Sequence, residues 1–153
     1  NIWYNKGVSQ RPSFLCATMT NTTNFQSEST ASGDEFERIV NEDLVSKGYT
    51  ILETNVKISG IGVNVDYIAE KDGVKEYGED KGGKSGGKKR PGAQRTDNVK
   101  KAICNGALLK AKYPDAKYVI YFSAEPKEGN SSDEMIKTAL ASGYVDEVRY
   151  LSY

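Results

Sequence analysis

The sequence predicts an α/β domain, a mixed sheet flanked by helices, on three observations. Apolar residues recur at helical spacing in three separate stretches. Between them lie runs rich in β-branched and aromatic residues, the composition of strands. Asp72-Gly73 joins two of these runs as a two-residue hairpin, because a type I′ turn needs positive φ at both central positions. In chain order the elements read α-β-β-β-α-β-α-β. A strand meander followed by a helical crossover gives a sheet with antiparallel and parallel pairs.

The first helix is expected to begin near Ser32, where Ser32-Gly33-Asp34-Glu35 matches a capping box. Phe36, Ile39, Val40 and Leu44 form its apolar stripe, and Lys47-Gly48 ends it. Tyr49 to Ile58 reads as a strand, and Gly60 and Gly62 bend the chain into the hairpin of residues 63–81. A second helix, capped by Thr96 or Asp97, runs to about Lys112 with Val99, Ile103, Ala107, Leu108 and Ala111 as its apolar face. Pro114 stops it. Lys117 to Ser123 is a buried-type strand. A third helix, capped by Ser131 or Ser132, carries Met135, Ile136, Ala139 and Leu140 and stops at Gly143; Tyr144 to Leu151 is a last short strand.

At 153 residues and 16.8 kDa the chain suits one domain with a real core. Residues 17–32 are dominated by Thr, Asn and Ser, so residues 1–31 are read as a polar arm or linker and 32–153 as the domain. Lys plus Arg and Asp plus Glu both number 21, so any nucleic-acid role needs local clustering of charge. Histidine is absent, which excludes a Ser-His-Asp triad, a Cys-His pair and histidine-ligated zinc. Cys16 and Cys104 stand far apart in no metal-ligand spacing, a usage that fits a reducing cytoplasmic compartment. No apolar run approaches the roughly 20 residues of a membrane span, so no membrane role is expected.

The hairpin carries the chemistry. With Asp72-Gly73 as the loop, Lys71 pairs with Val74, and counting outward sets Asp66 opposite Glu79 and Asn64 opposite Lys81. Asp66, Glu79 and Lys81 then share one face, while Glu76 and Asp80 fall on the face of Val63, Val65 and Val74. Two carboxylates directly opposite each other repel unless a cation lies between them. On spacing alone the hairpin is either a metal site with a lysine beside it or a solvated acidic face. Glu37, next to Phe36, reads from periodicity as a surface glutamate.

Directly after the hairpin, Gly82 to Arg95 holds five cations (Lys84, Lys88, Lys89, Arg90, Arg95), five glycines and no acid. It is a solvated basic loop or a loop that contacts nucleic-acid phosphates. Its Gly-Lys-Ser lacks the full phosphate-loop pattern, so no nucleotide cofactor is expected.

With these residues in place the chain resembles the PD-(D/E)xK nuclease superfamily, over roughly Ser32 to Ser123. Asp66 matches its first acid, Glu79-Asp80-Lys81 its (D/E)xK, and Glu37 the acid many members carry on the first helix. Glu37 through Leu44 to Gly48-Tyr49, Asn55-Val56 and Val65 to Ala69 look like its small resolvase-like and YraN-like members. The tail is loosely similar to phage or mobile-element endonucleases. Val65 stands where the pattern usually has proline, and Glu76, Gly78 and Asp80 interrupt a strand that is usually apolar.

The resemblance implies a restriction-endonuclease-like three-layer fold and hydrolysis of DNA phosphodiester bonds leaving 5′-phosphate ends. It implies Mg²⁺ or Mn²⁺ held by Asp66, Glu79 and Asp80, with Glu37 holding a metal-bound water or a second ion. Lys81 would orient or deprotonate the attacking water. Lys84, Lys88, Lys89, Arg90, Gln94, Arg95 and Lys101 are the expected DNA contacts, with Gln94 and Lys101 equally readable as surface residues. Many relatives form homodimers to cut both strands. The alternatives are an inactive nucleic-acid-binding module of the same fold, favoured by Glu76, Gly78 and Asp80, and an interaction domain whose acidic hairpin pairs with its own basic loop.

Overall fold

The computed structural model describes residues 20–153, with side chains described from residue 33 onward. The expectations placed on residues 1–19 lie outside the described residues. Helix α1 (Thr20–Ser46) precedes strands β1 (Thr50–Ile58), β2 (Val63–Lys71) and β3 (Val74–Lys81). A 3-10 turn at Gly92–Gln94 leads into α2 (Thr96–Lys112), followed by β4 (Lys117–Phe122), α3 (Ser131–Ser142) and β5 (Glu147–Tyr150). The strands form one sheet in the order β1-β2-β3-β4-β5. β1, β2 and β3 pair antiparallel, and β3, β4 and β5 pair parallel, so the expected mixed α/β sheet is present.

Helix α1 does not start at the predicted box. Its backbone is helical from Thr20, so Ser32 to Glu35 lie inside it. A capping box is a local preference of about 1 kcal/mol, and no proline or glycine between Thr20 and Ser32 compels a break. The other two caps also move by one residue. Arg95 is the N-cap of α2 and makes no side-chain cap bond. Asn130 caps α3, its side-chain oxygen accepting from the Asp133 N–H at 3.0 Å. Gly143 ends α3 in the left-handed conformation, φ 76°, as expected.

Helix α1 lies on one face of the sheet, where Phe36, Val40 and Leu44 pack with Tyr67, Ala69, Val119 and Tyr121. Helices α2 and α3 lie on the other, where Val99, Ala102, Leu109, Ile136 and Ala139 meet Tyr118, Ile120 and Phe122. The buried positions of α2 are Val99, Ala102, Gly106 and Leu109, one step round the helix from the predicted stripe, and Leu108 is largely exposed. The cause is Gly106. A Cβ there would lie 2.6 Å from the Tyr118 ring and from the Tyr144 carbonyl, so α2 approaches the sheet along its smallest residues. The Tyr118 hydroxyl donates to the Ala102 carbonyl at 2.7 Å and fixes that approach. A stripe chosen by size alone misses such a contact.

The hairpin turn forms as predicted, with Asp72 at φ 52° and Gly73 at φ 76°, and Lys71 pairs with Val74. The ladder continues only to Tyr67↔Gly78. Asn64 pairs with Lys57 of β1 and not with Lys81. Beyond Gly78, β3 stays with β4 as far as Lys81↔Phe122 and leaves β2. The two strands of the hairpin therefore splay at the end that carries the acids.

Candidate active site at the splayed end of the hairpin

The alternation of β2 breaks at Asp66. Val63, Val65 and Ile68 pack with the α2–α3 cluster, whereas Tyr67 and Ala69 pack with α1. The switch sits across from Asn55 of β1, a non-glycine at φ 53° between the pairs Thr54↔Tyr67 and Val56↔Val65. Irregularities of this kind re-aim one side chain without ending a strand. The Asp66 carboxylate turns into the gap between the splayed strands and accepts the Asp80 N–H at 2.6 Å. The predicted direct apposition of Asp66 and Glu79 is thus replaced by a bond to the next residue. The grouping of Val63 and Val65 with Glu76 and Asp80 is overturned for the same reason: strict alternation does not pass through residue 66.

Along β3, Glu79 and Lys81 share the α2 face with Tyr77, while Glu76, Gly78 and Asp80 share the α1 face with their β4 partners Val119 and Tyr121. Glu79 is 4% exposed. One of its oxygens accepts from the Lys81 ammonium and the other from the Asn105 amide of α2 at 3.2 Å. Glu37 reaches the same region from α1. A Cβ on Gly82, just after Lys81, would lie 2.7 Å from the Phe36 side chain, so α1 presses against the end of β3.

Four acids and one lysine therefore share this corner, and their electrostatics are one-sided. Burial pushes the Glu37 carboxyl above its ordinary value, Asp66 and Asp34 add to the shift, and Lys81 opposes it. Burial raises Asp66 against the opposing Asp80 N–H and Lys81. Burial raises Glu79 too, with Lys81 opposing and Asp66 adding. Asp80 is pushed well up, by burial first and then by Asp66, Glu37 and Glu79. Its Oδ1 is buried and has no hydrogen-bond partner among the described residues. Among the described residues no three carboxylates are arranged to grasp one ion. Asp66 and Glu79 form a two-carboxylate set, and that fits Mg²⁺, which takes one or two carboxylates and keeps several waters. An excess of half-buried carboxylates around buried Glu79, one of them with an orphaned oxygen, is the donor chemistry a hard cation needs.

The basic loop is rooted beside this corner. The Ser123 N–H donates to the Lys81 carbonyl at 3.1 Å and the Ser123 hydroxyl to the Gly83 carbonyl at 2.8 Å. Gly92, at φ 47°, passes so close to β4's exit that a Cβ would lie 2.5 Å from the Ala124 nitrogen. Lys89, Arg90, Gln94 and Arg95 come together around a cavity of about 350 Å³ that Thr96 and Asp97 complete. Lys88 and Lys101 are exposed. Lys84 turns instead toward α1, pairing with Glu35 at 2.6 Å and lying 5.8 Å from the Tyr153 ring centroid.

Glu76 and Gly78, the two oddities of the strand, belong to a separate arrangement. Glu76 is fully buried. Arg149 of β5 grips it with two bonds of 2.8 and 3.1 Å, the Tyr67 hydroxyl donates at 2.8 Å, and Lys117 lies 3.3 Å away. Burial alone would raise the Glu76 carboxyl, but the bonds from Arg149 and Tyr67 outweigh it and hold the group below its ordinary value. Gly78 is where the Tyr67 ring crosses β3 to reach Glu76: a Cβ would lie 1.9 Å from that ring. Neither residue bears on the acidic corner, so neither argues against activity there. Sequence reasoning missed Arg149 and Asn105. Asn105 carried a readable signal, since an asparagine between Cys104 and Gly106 is a poor choice for a helix interior. Arg149 carried none.

No family model matches the chain, and no curated protein does. Among solved structures, SfsA from Pyrococcus furiosus in complex with Ca²⁺ superposes with a TM-score of 0.44 at 20% identity. The match covers 80% of this chain and 55% of that one, so the chain spans little more than half of that protein's length. Among the described residues no helix is long and apolar enough to cross a membrane.

Proposed function

We propose that the chain is a metal-dependent DNA endonuclease of the PD-(D/E)xK type, with restriction-endonuclease-like layering of α1, the sheet and α2–α3. One observation carries the reading. Asp66, Glu79 and Lys81 come from separate strand positions to one splayed strand end, in a largely half-buried acidic excess that includes Glu37 and Asp80.

Asp66 and Glu79, with Glu37 and Asp80 beside them, would hold Mg²⁺ or Mn²⁺; the ion, when bound, supplies a Lewis acid against the scissile phosphate. Lys81 stands next to Glu79 with an ammonium that can hold the attacking water and stabilise charge on the phosphate oxygens. Glu37 accepts a proton of that water from the α1 side. Attack on phosphorus would break the P–O3′ bond, leaving a 5′-phosphate on one side and a 3′ oxygen that takes a proton from solvent to become the 3′-hydroxyl on the other. Lys88, Lys89, Arg90, Gln94, Arg95 and Lys101 provide charge and donors for backbone phosphates, and the α2 N-terminus, which no side chain caps, adds N–H groups nearby. Cutting both strands of a duplex would call for two copies.

A second reading is a DNA-binding module without catalysis. It is favoured by the Lys81–Glu79 bond, which occupies one oxygen of the acid, and by the lack of any three-carboxylate grouping among the described residues. A cleavage assay separates the two. Linear, nicked, flapped and four-way DNA are incubated with Mn²⁺ or Mg²⁺, and with chelator. The endonuclease reading expects cutting that chelator stops and that Asp66→Ala, Glu79→Ala and Lys81→Ala each reduce by about 10³-fold or more, roughly 4 kcal/mol of barrier. Salt-sensitive binding with no cutting in either metal would establish the module instead.

A further inference from the structure

Glu79 is the acid of the corner with a protein donor on each oxygen, Lys81 on Oε1 and Asn105 on Oε2. A carboxylate only accepts, so the group that Asn105 presents at 3.2 Å is its amide N–H. Each oxygen has further lone-pair capacity, which leaves room for another partner.

Asn105 has no local reason to be where it is. It sits in the interior of α2, where asparagine is a weak helix former. It is half-buried and faces the sheet beside Gly106. The close approach at Gly106, 2.6 Å from a Cβ position to the Tyr118 ring, together with the Tyr118 to Ala102 bond, sets how near the helix comes to β3. That spacing is what lets so short a side chain reach across to Glu79. An aspartate at 105 would add a fifth acid, and an alanine would leave Glu79 held from one side only.

We infer that Asn105 is a positioning residue for Glu79: its amide pins Oε2, so that the carboxylate stays aimed into the acidic corner and presents its open lone pairs to a divalent cation. The inference rests on the endonuclease reading for its purpose, but the bond and its geometric consequence stand apart from cleavage. Outer partners of metal-binding carboxylates typically alter affinity by about 10-fold to 100-fold.

The test uses the full chain and Mn²⁺ alone. Mn²⁺ binding is followed by electron paramagnetic resonance for wild type, Asn105→Leu, which keeps the shape without the donor, and Asn105→Gln, which keeps the amide. Thermal unfolding without metal checks that each folds. Crystal structures of wild type and Asn105→Leu locate the Glu79 carboxylate. Expected are a folded Asn105→Leu protein with Mn²⁺ binding weakened about 10-fold or more, recovery to within about threefold in Asn105→Gln, and a Glu79 side chain turned from its wild-type position. Unchanged Mn²⁺ affinity in Asn105→Leu overturns the inference. Should wild type bind no Mn²⁺, the endonuclease reading fails, and the Glu79 position decides Asn105 separately: an unmoved carboxylate in Asn105→Leu rejects the positioning role, a displaced one upholds it. Should Asn105→Leu fail to fold, Asn105→Ala, which also removes the amide, decides by the same two measurements.

Discussion

Glu76 and Glu79 lie three residues apart on β3 and are both nearly inaccessible, 0% and 4% exposed. Glu76 looks toward α1 and meets Arg149, Lys117 and the Tyr67 hydroxyl. Glu147 joins them, held below its ordinary value mainly by its hydrogen bond from Arg149. In that cluster two acids face two cations. Arg149 stays firmly charged, since Glu147 and Glu76 outweigh the burial that opposes it. Glu79 looks the other way, into a corner where four acids face Lys81, and all four acids are pushed upward. The same residue type on one strand is neutralised at one end and left in excess at the other. A fold that needed only stability has no use for the second arrangement, which is why the unbalanced end is the candidate site and the balanced end is architecture.

The contrast can be broken most severely at Arg149. Arg149→Met removes the bidentate partner and leaves buried Glu76, together with Glu147, only the more exposed Lys117 as a cation, an expected loss of about 3–5 kcal/mol in urea unfolding. The pH profile shows the sign. Glu76 and Glu147 have lowered folded values, so their contribution is present above the ordinary 4.5 and is lost as pH falls through the folded values. The four raised acids of the corner act in the opposite sense, since taking up protons relieves them, and they are common to both proteins. The difference between wild type and Arg149→Met should therefore shrink as pH falls through the folded values of Glu76 and Glu147. An unchanged acid profile would mean the cluster is not what balances Glu76.

Next in size is the acidic end itself. If it holds Mn²⁺, a free concentration 100 times the dissociation constant stabilises the fold by about 2.7 kcal/mol, seen as a rise in Tm. The rise should vanish in Asp66→Ala. The same additions should leave the effect of Arg149→Met unaltered in size, because the two ends are independent.

Gly78→Ala strikes the boundary between the ends. With Tyr67 1.9 Å from the new Cβ, the ring must leave Glu76, at an expected cost of about 1–3 kcal/mol. The smallest effect has the opposite sign. Asp80→Asn removes one acid from the overcrowded corner, and the metal-free protein should unfold at a modestly higher temperature, because burial and Asp66, Glu37 and Glu79 all oppose a charge at that position. A loss on Asp80→Asn would show that Asp80 has a compensating partner and that the corner is less one-sided than its geometry indicates.

The strand meander, the helical crossover, the hairpin turn and the C-terminal ends of the three helices were legible in the sequence, because each is a local preference of a few neighbouring residues. The caps of α2 and α3 were each misplaced by one residue because adjacent residues offer comparable local choices, and the start of α1 was misplaced because a capping box is a weak preference and no proline or glycine between Thr20 and Ser32 breaks the helix. The stripe of α2 was displaced by Gly106, whose importance lies in the Tyr118 ring opposite and not in itself. Within the candidate site, the identities of Asp66, Glu79, Lys81, Glu37 and Asp80 were readable as a pattern, yet strict alternation gave the wrong facing for Val63 and Val65.

By itself, then, the sequence determined the order and kind of elements and the residues that could carry chemistry, since period, turn type and charge act at short range. Only the tertiary structure decided that β2 and β3 splay beyond Gly78, that Asp66 turns toward the Asp80 N–H, and that Arg149, 73 residues from Glu76, neutralises it while Asn105, 26 residues from Glu79, supports it. The physical reason is that buried charge is settled by whichever groups the packed layers bring within hydrogen-bonding distance, and that distance has no counterpart along the chain.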